Sequence, residues 1–397
     1  MRLRGRRIAV VGAGIGGLAA ATALAQRGAE VTVLEQAPGL GEVGAGIQIA
    51  PNGVAVLEAL GLRDAAAVHA SQPEAVELVD FRGGRPVARI PLGQAIVARH
   101  GRPYWHLHRA DLLAVLAAGA AEAGVALACG AAVTAVRAGD REVEVVTEAG
   151  SLGQFDLAVA ADGARSGVRA AHVDPAPARY TRHAAWRALV PADSVPAAFG
   201  RPVARVTMAP GRHAVTYPLR RGSLVNLVAI EERAAWTEEG WSIPGSPERL
   251  RQAFGGCAEL VPLLAAVGDC WLWGLFDHAP LRSWIDGRLV LLGDACHPML
   301  PFLAQGATMA LEDAWVLADC LDLAPDPAEG LAAYEAARLP RATRVQRAAA
   351  RAGRVYHLRP GLRGPAQAAL GAVSALAPEL LAGRFAWLFG EDVTATG

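Results

Sequence analysis

The chain of 397 residues contains no lysine. All 38 of its basic residues are arginines, and 38 acidic residues balance them to a formal net charge of zero. This absence excludes a Schiff-base lysine, a P-loop lysine and a lysine general base. An arginine stays protonated and does not transfer protons. The zero net charge argues against nucleic-acid binding, which usually requires a basic domain. A simpler source of the arginine bias is the base composition of the gene.

Cysteine and charged residues are also sparse. The five cysteines form no CxxC pair: Cys129, Cys257, Cys270, Cys296 and Cys320. Their odd number and spacing predict reduced thiols in the cytoplasm rather than a disulfide framework or a zinc site. Charged residues make up 19% and hydrophobic residues 53% of the chain, which excludes disorder and permits a large core. The length fits two or three domains, or one bilobed enzyme.

The N-terminus combines several arginines with about 18 apolar residues, a pattern shared by signal peptides and membrane-spanning helices. Glycines interrupt this run directly after a β-branched segment, which favours a buried βαβ unit instead. The predicted elements are a strand over 8–11, a glycine turn, a helix over 18–27 and a second strand over 30–35.

The glycine turn has the G-x-G-x-x-G spacing of a dinucleotide-binding fingerprint. Its candidate cofactor-binding residues are Gly12, Gly14, Ile15, Gly16 and Gly17. These glycines allow a tight turn, close approach of a pyrophosphate and close packing of the helix, whose N-terminus offers free N–H groups. Glu35, at the end of the second strand, is placed to accept hydrogen bonds from a ribose. The alternative is an unrelated glycine-rich turn.

The middle of the chain alternates like an antiparallel sheet, and from Thr308 onward the pattern is mostly helical. We therefore expect a dinucleotide-binding domain that is interrupted by a β-rich insert and closed by helices. The expected boundaries are 1–75, 101–182 and 283–355 for the dinucleotide-binding domain, 76–100 and 183–282 for the β-rich domain, and 356–397 for a C-terminal helical segment.

Two further predicted strands end in acidic turns. One runs into Asp162-Gly163 and the other into Gly293-Asp294, before a helix that starts near Gly306. Together with the N-terminal fingerprint, these motifs resemble the group A flavoprotein monooxygenases, which are single-component aromatic hydroxylases. Four segments are most similar to the salicylate, 3-hydroxybenzoate and 6-hydroxynicotinate hydroxylases. They are residues 44–52, 106–112, 185–191 and 297–301.

The resemblance implies an α/β fold like that of para-hydroxybenzoate hydroxylase. That fold has a Rossmann-like FAD-binding domain, an inserted β-sheet substrate domain and C-terminal helices. It also implies FAD as cofactor. Glu35 then binds the adenosine ribose, Arg109 holds the extended cofactor and Asp294 binds the ribityl chain. The helix starting at Gly306 and Ala307 directs N–H groups at the flavin, where they stabilise the negative charge of the reduced ring.

Asp162 and Arg165 match a family motif that serves both FAD and NAD(P)H binding. From the residues alone, Asp162 and Arg165 also fit an ordinary turn with a solvated arginine. In the same way Asp294 fits a helix cap and Arg109 a surface salt bridge. His297, which lies in the cofactor loop, is expected to be structural.

The resemblance also implies the reaction. NADH or NADPH reduces FAD as a transient co-substrate, O2 adds to give a flavin C4a-hydroperoxide, and oxygen is transferred to a small aromatic acid. Pro301 matches the family proline beside the reacting edge of the flavin, although a helix-start proline is the alternative. We expect a cytoplasmic monomer or homodimer that needs no metal, membrane or nucleic acid. The competing classes are a reductase or dehydrogenase of the same fold and a flavin-binding protein without turnover.

Positions i and i+4 of a strand face the same side, so His213 and Tyr217 are predicted to face one cavity and act on the substrate. The relatives carry a similar His-x-x-x-Tyr, and a histidine suits phenol deprotonation. A structural histidine with a solvent-facing tyrosine is the alternative. Gln48 is a further candidate for substrate binding.

Two departures from the relatives leave the substrate open. The 6-hydroxynicotinate enzymes carry a histidine where Gln48 stands, and the 3-hydroxybenzoate enzymes carry a glutamine near the position of Pro301. Because lysine is absent, anionic ligands must be met by an arginine, a backbone N–H group or a neutral side chain. Arg165, Arg205 and Arg220 are the candidates.

Overall fold

A computed structural model describes residues 3–41, 46–237, 242–358 and 360–395. Residues 1 and 2, at the start of the N-terminal run, lie outside these ranges. The same holds for Gly44 and Ala45, which begin the segment that resembles the aromatic hydroxylases.

The described residues form strands that belong to four sheets. Strands β1 to β19 run in chain order over Arg7–Val11, Glu30–Glu35, Gly46–Ile49, Ala75–Asp80, Pro86–Pro91, Trp105–His108, Ala126–Cys129, Val133–Ala138, Val143–Thr147, Gly150–Phe155, Leu157–Ala160, Arg179–Pro191, Val203–Ala209, Arg212–Leu219, Leu224–Glu232, Ser242–Gly245, Cys270–Asp277, Ile285–Asp286 and Leu289–Leu291.

The helices surround these sheets. Helices α1 to α13 run in chain order over Ile15–Gln26, Pro51–Ala59, Arg63–His69, Gly93–His100, Arg109–Glu122, Gly167–His172, Pro247–Phe254, Val261–Ala265, Gly306–Leu323, Pro327–Tyr356, Pro360–Leu376, Pro378–Gly383 and Ala386–Phe389. None of the described helices is both long enough and apolar enough to cross a membrane.

A six-stranded sheet with the order β18-β19-β11-β1-β2-β7 forms the core of the N-terminal part. Five of its strands are parallel, and only β18 runs antiparallel to its neighbour. Residues 8–11 of β1 and every residue of β11 are buried, as expected for parallel strands covered on both faces. The carboxyl ends of β1, β11 and β19 therefore meet at one edge, where open α/β sheets bind ligands.

An eight-stranded sheet with the order β16-β17-β12-β15-β14-β13-β4-β5 forms the second layer. Its outer face packs against α7 and α8 through a buried cluster that includes Trp186, Leu227 and Phe254. On the inner face, Ala185 and Ile230 pack against the loop that follows β19. The two sheets thus enclose that loop between them. The predicted domain boundaries are not tested by this arrangement and stay a prediction.

Helix α5 begins at Arg109 and carries an unusual cap. The ring of His108 caps it, since the Nδ1 atom accepts the N–H of Ala110 at 3.2 Å. Asp111 is not a cap because its carboxylate binds the guanidinium of Arg220, with a shortest distance of 2.7 Å.

The C-terminal helix α11 is tied to the eight-stranded sheet by a buried ion pair. The guanidinium of Arg363 donates hydrogen bonds to the Asp80 carboxylate and, at 3.2 Å, to the carbonyl oxygen of Met208. It also lies over the ring of Phe81, 4.5 Å from the ring centroid. Because both charged side chains are buried, removing either one leaves an uncompensated charge.

We therefore expect Arg363→Met to lower the free energy of unfolding by about 3–5 kcal/mol in denaturant titrations. The double variant R363M/D80L removes both charges and should recover most of that loss. Arg351 is exposed on α10, and the control R351M should change stability by less than about 0.5 kcal/mol. Equal stability of R363M and R351M would contradict the role of the pair.

Candidate active site

The glycine loop between β1 and α1 closes tightly on the turn after β11. A methyl group at Gly12, where φ is +101°, would lie 2.5 Å from the carbonyl oxygen of Ala161, and one at Gly17 would overlap the Gly12 carbonyl. In contrast, no described atom lies within 4 Å of a methyl group built at Gly14. The loop is therefore closed on the protein side and open on the other, which is the cradle that a pyrophosphate needs.

Glu35 lies beside this cradle at the end of β2. Its carboxylate accepts the N–H of Ala13 at 2.9 Å and the N–H of Ala37 at 2.8 Å. Each carboxylate oxygen accepts more than one hydrogen bond, so a ribose hydroxyl can share the same group. The predicted ribose ligand thus stands next to the predicted phosphate cradle.

Asp162 also lies beside the glycine loop. A methyl group at Gly12 would be 3.2 Å from the Cα atom of Asp162. Its Oδ2 atom accepts the N–H of Val168 at 3.2 Å, whereas its buried Oδ1 atom has no hydrogen bond within the described ranges. Burial raises the pKa of this carboxyl group. Arg165 is exposed at the same turn. Asp162 therefore lies beside the glycine loop, and Arg165 lies at the exposed end of the same turn.

Asp294 follows β19 and stands at the start of α9. Its carboxylate lies 3.7 Å from where a methyl group on Gly306 would be. Solvent reaches the side chain, yet the surrounding protein raises the pKa of Asp294, an effect that the charges of His297 and Arg109 oppose. The carboxylate of Asp294 is thus accessible to solvent and also closely surrounded by protein, as expected for a residue that lines a cleft. Arg109, Asp294 and Gly306 thus come together at one place.

A buried ionic network holds the turn that carries Asp294. Asp313 of α9 accepts the N–H of Gly293 at 3.2 Å and contacts Nε2 of His297 at 2.5 Å. The guanidinium of Arg338 lies 2.8 Å from Asp313 and 2.6 Å from Glu312. Burial raises the pKa of Asp313, but the charges of His297 and Arg338 outweigh it and lower the pKa below its usual value. In this network His297 holds the turn through Asp313.

The N-terminus of α9 presents unpaired polar groups. Gln305 is 1% exposed, and neither its amide oxygen nor its amide nitrogen is hydrogen-bonded among the described residues. The same is true of the hydroxyl of Thr308. Buried polar groups are normally satisfied, so these atoms fit a ligand that has its own donors and acceptors. The pyrimidine ring of a flavin is such a ligand.

Pro301 stands between this helix start and the inner face of the eight-stranded sheet. It opens a 3-10 turn over Pro301–Leu303, and its neighbours Leu300 and Phe302 pack on the sheet. Pro301 is therefore held next to the sheet by its two neighbours, and it precedes the start of α9 by five residues.

His213 and Tyr217 lie on β14 and are both buried. Their alternation puts both side chains on the inner face, with Cα atoms about 13 Å apart. The His213 ring packs against Phe302, with ring centroids 5.5 Å apart, and its Nδ1 atom lies 2.7 Å from Nε2 of His357. The structure thus places the two predicted residues at either end of one surface, with the partly exposed Val215 between them.

Gln48 lies at the Tyr217 end of this surface. Its Oε1 atom accepts the hydroxyl of Tyr104 at 2.6 Å, and its side chain also hydrogen-bonds to Tyr217. A methyl group at Gly46 would lie 2.6 Å from the Tyr217 hydroxyl, so only glycine allows this approach.

His106 is a further residue at this end of the surface, and it is not among the predicted site residues. His106 stands opposite Gln48 in the β3–β6 pair, and its ring stacks on Tyr217 with centroids 4.3 Å apart. Neither ring nitrogen has a hydrogen bond in the part of the chain that the structure describes, and burial lowers the pKa of His106 to about 3. The sequence signal that could have indicated His106 is the alternation of His106 and His108 in the short buried strand β6.

Arg187 was also missed. In β12 it pairs with Val228 of β15, so its side chain shares the inner face with His213 and Tyr217. Its guanidinium lies over the ring of Trp273, 4.6 Å from the centroid, and its charge acts on Tyr217. The signal was weak, because Arg187 is one of many arginines.

Two of the arginines proposed as anion ligands are paired elsewhere. Arg205 lies on the outer face, 3.4 Å from Glu77 and 3.6 Å from Glu259. Arg220 is exposed and binds Asp111.

Comparisons with known proteins agree with this geometry. A family model described as an FAD binding domain matches residues 6–349. The 3-amino-4-hydroxybenzoate 2-monooxygenase PtnB3 of Streptomyces platensis is 38% identical over 397 residues, which cover 98% of this chain and 97% of that protein. The 3-hydroxybenzoate 6-hydroxylase 1 of Aquipseudomonas alcaligenes is 34% identical over 396 residues, with 97% and 98% covered. A salicylate hydroxylase substrate complex superposes with a TM-score of 0.82 at 25% identity, covering 98% of this chain and 97% of the other.

The fold and the cleft define a flavin-dependent oxidoreductase. The chain belongs to the family of FAD-binding aromatic monooxygenases. The predicted fold class, the FAD cofactor and the function as an FAD-dependent aromatic hydroxylase are therefore confirmed. The roles of individual site residues stay predictions.

Asp294 provides a direct test of the cofactor cleft. We expect Asp294→Ala to weaken FAD binding roughly 10- to 100-fold, because a hydrogen bond to a charged group contributes about 1.5–3 kcal/mol. Flavin content after purification and FAD titration of the apoprotein measure the effect. Asp269 is exposed in a loop, and the control D269A should retain its flavin. Full, tightly bound FAD in D294A would refute the assignment.

Proposed function

We propose that this chain uses NADH or NADPH and O2 to hydroxylate a small aromatic acid that carries a ring hydroxyl, with FAD as its resident cofactor. The observation that carries the proposal is the sheet surface between His213 and Tyr217, beside which Leu300 and Phe302, the neighbours of Pro301, pack. The names of the relatives support it, since both describe enzymes acting on hydroxylated benzoates. The enzyme works in the cytoplasm as a monomer or homodimer, in keeping with its five unpaired cysteines.

When bound, FAD supplies the redox chemistry, accepting a hydride from the nicotinamide and activating O2. The residues of this chain hold it in place. Glu35 binds the ribose, and Arg109 and Asp294 hold the extended part of the cofactor. The free N–H groups at Gly306 and Ala307 stabilise negative charge on the ring. Asp162 and Arg165 serve the nicotinamide cofactor at the outer rim.

His213 removes the proton of the substrate hydroxyl. Burial and the neighbouring His357 and His183 lower the pKa of His213 well below its usual value, so its imidazole is neutral and passes on the proton that it takes up instead of holding it. Loss of that proton raises the electron density of the ring and prepares it for an electrophilic oxygen. Burial raises the pKa of Tyr217, which therefore stays protonated and donates a hydrogen bond to the substrate. Gln48 hydrogen-bonds the substrate at the same end.

Arg187 binds the carboxylate of the substrate. A guanidinium presents two parallel N–H groups that match a carboxylate, and the face of Trp273 fixes its plane. Arg187 shares the inner sheet face with His213 and Tyr217, whereas Arg205 and Arg220 are paired elsewhere. A substrate that spans from Arg187 to His213 would lie across Val215 and Val228, two apolar residues that suit an aromatic ring.

The proposal is tested by a panel of hydroxybenzoates, aminohydroxybenzoates and pyridine carboxylic acids. We expect at least one of them to stimulate both NAD(P)H oxidation and O2 uptake, with one hydroxylated product per O2 consumed. Release of CO2 would identify a decarboxylating hydroxylation. If every acid leaves NAD(P)H oxidation unchanged, or if oxidation yields hydrogen peroxide alone, the proposal is wrong.

Replacing the proposed base should separate chemistry from cofactor binding. We expect His213→Ala to retain FAD but to slow hydroxylation roughly 10²-fold, the lower range for general acid–base catalysis. Single-turnover experiments with the reduced enzyme and O2 measure this step. Tyr217→Phe keeps the ring and should impair the reaction less. Unchanged single-turnover hydroxylation in H213A would eliminate His213 as the base.

Arg187 is tested by comparing a hydroxybenzoate with the phenol that lacks its carboxylate. We expect Arg187→Met to weaken hydroxybenzoate binding by about 10- to 100-fold, since a hydrogen bond to a charged group contributes about 1.5–3 kcal/mol, and to leave phenol binding unchanged. Arg179 lies on the same strand but is exposed, so R179M is the control. Equal weakening of both ligands in R187M would show that Arg187 does not select the carboxylate.

A further inference from the structure

A chain of polar groups connects the buried His213 with the surface. Its Nδ1 atom lies 2.7 Å from Nε2 of His357, the residue that directly follows helix α10. The Nδ1 atom of His357 lies 3.4 Å from the carboxylate of Glu232 at the end of β15. Exposure rises steeply along this chain, from 1% for His213 to 57% for the Glu232 side chain.

The order of the groups favours one tautomer of both rings. The Nδ1 atom of His357 makes no hydrogen bond among the described residues, and the Glu232 carboxylate 3.4 Å away only accepts hydrogen bonds, so it favours a proton on that nitrogen. The Nε2 atom of that neutral ring is then an acceptor, which in turn favours a proton on Nδ1 of His213. The Nε2 atom of His213 is thereby left as a base, the form that a ring accepting the substrate proton must have.

The two rings are held in this arrangement from several sides. The titratable groups facing them are His183 of β12, Tyr356 of α10 and Glu232 of β15. Burial and His183 lower the pKa of His357 to about 4, against the opposing effect of Glu232. Both imidazoles are therefore neutral near pH 7. A neutral ring that donates at one nitrogen and accepts at the other can pass a proton on without holding the charge.

We propose that His357 and Glu232 form a relay that carries the proton taken up by His213 from the closed substrate site to solvent. This inference rests on the proposed role of His213 as the base. His357 is then a positioning and relay residue, because it acts through His213 and does not touch the substrate.

The proton balance of the relay is simple. The O–H bond of the substrate breaks and the proton forms a bond with Nε2 of His213, while the proton on Nδ1 of His213 passes to Nε2 of His357. The proton on Nδ1 of His357 then leaves to Glu232 or to water beside it. No electrons are transferred, and the last proton movement, from His357 to Glu232, needs only a shortening of the 3.4 Å contact.

A substrate site that is closed to water needs a path by which a proton can leave. A site that excludes water cannot discharge a proton by diffusion, and FAD chemistry of this class requires a dry site. The exposed end of the relay lies away from the Tyr217 end of the surface, where His106 and Gln48 close the site. A proton can thus leave while the ring remains enclosed.

The test uses the FAD-loaded full chain without turnover. The enzyme is mixed anaerobically with its hydroxybenzoate substrate in weak buffer, and a pH-indicator dye reports proton release while the flavin spectrum reports binding. We expect His357→Gln to slow proton release roughly 10-fold or more while the binding phase is unchanged. Glutamine keeps a hydrogen bond to His213 but cannot relay a proton. Added imidazole should restore part of the rate in a smaller variant, His357→Ala.

A control and a spectroscopic measurement separate the relay from a structural effect. His69 is exposed on α3, and the control His69→Gln should leave proton release within twofold of the parent. In ¹⁵N-histidine NMR spectra, His213 and His357 should both appear as neutral rings protonated at Nδ1, and that signature needs no catalysis.

Several outcomes would overturn the proposal. If H357Q releases protons at the parent rate while H213A does not, the relay fails and the base assignment stands. If H213A also releases protons at the parent rate, the proposed function of His213 fails as well. His183, Glu232 and His357 also lie close enough to surround a metal ion. A stoichiometric metal ion that is lost in H183Q would make this cluster a metal site instead of a relay.

Discussion

The buried carboxylate of Asp313 is the group on which the cofactor edge depends. One oxygen holds the turn after β19 through Gly293 and His297, and the other binds Arg338 on α10. Its neighbour Glu312 binds Asn52 of α2 at 2.6 Å. A charge in this position is tolerated only because every partner is present, since a buried carboxylate that loses its cation is strongly destabilising. Strand, helix start and C-terminal helices are therefore held as one unit.

This network also has consequences for the substrate side. Helix α10 contains Arg338 and ends at Tyr356, directly before His357. The ion pair between Arg338 and Asp313 therefore helps to position His357 against the eight-stranded sheet. The flavin cradle and the relay behind His213 are thus positioned by the same helix. The substrate surface itself belongs to the other layer. The site is complete only when the two layers pack together, which suits chemistry that must exclude water.

The absence of lysine limits which side chains of the site can transfer protons. An arginine stays charged and does not transfer protons, so the proposed proton transfers use His213, His357 and Glu232. Arg338 stabilises a buried carboxylate, and the guanidinium of Arg187 lies over the ring of Trp273. The composition excluded lysine mechanisms, and in the proposed function the arginines supply fixed charge while histidine and glutamate side chains move protons.

Local patterns predicted much of the fold and the cofactor side. The glycine fingerprint, Glu35 and the Gly293-Asp294 turn are short-range signals, and the strand–turn–helix context that gives them meaning lies within a few residues. The fold class and FAD were predictable for that reason. The pair His213 and Tyr217 was predictable as one face of a strand, because alternation is a local property. The contact of Asp111 in α5 with Arg220 was not predictable in this way, since the two residues are distant in sequence.

The amino-acid sequence by itself determined the dinucleotide fold, the cofactor class and which side chains are able to move a proton. Only the tertiary structure decided that Arg187 faces the substrate surface, that His106 stacks on Tyr217 and that His357 lies behind His213. Each of these contacts joins segments far apart in the chain, and no periodicity or motif encodes such a distance. Their positions follow from packing two layers around one cleft, where burial and pairing of polar groups select a single arrangement.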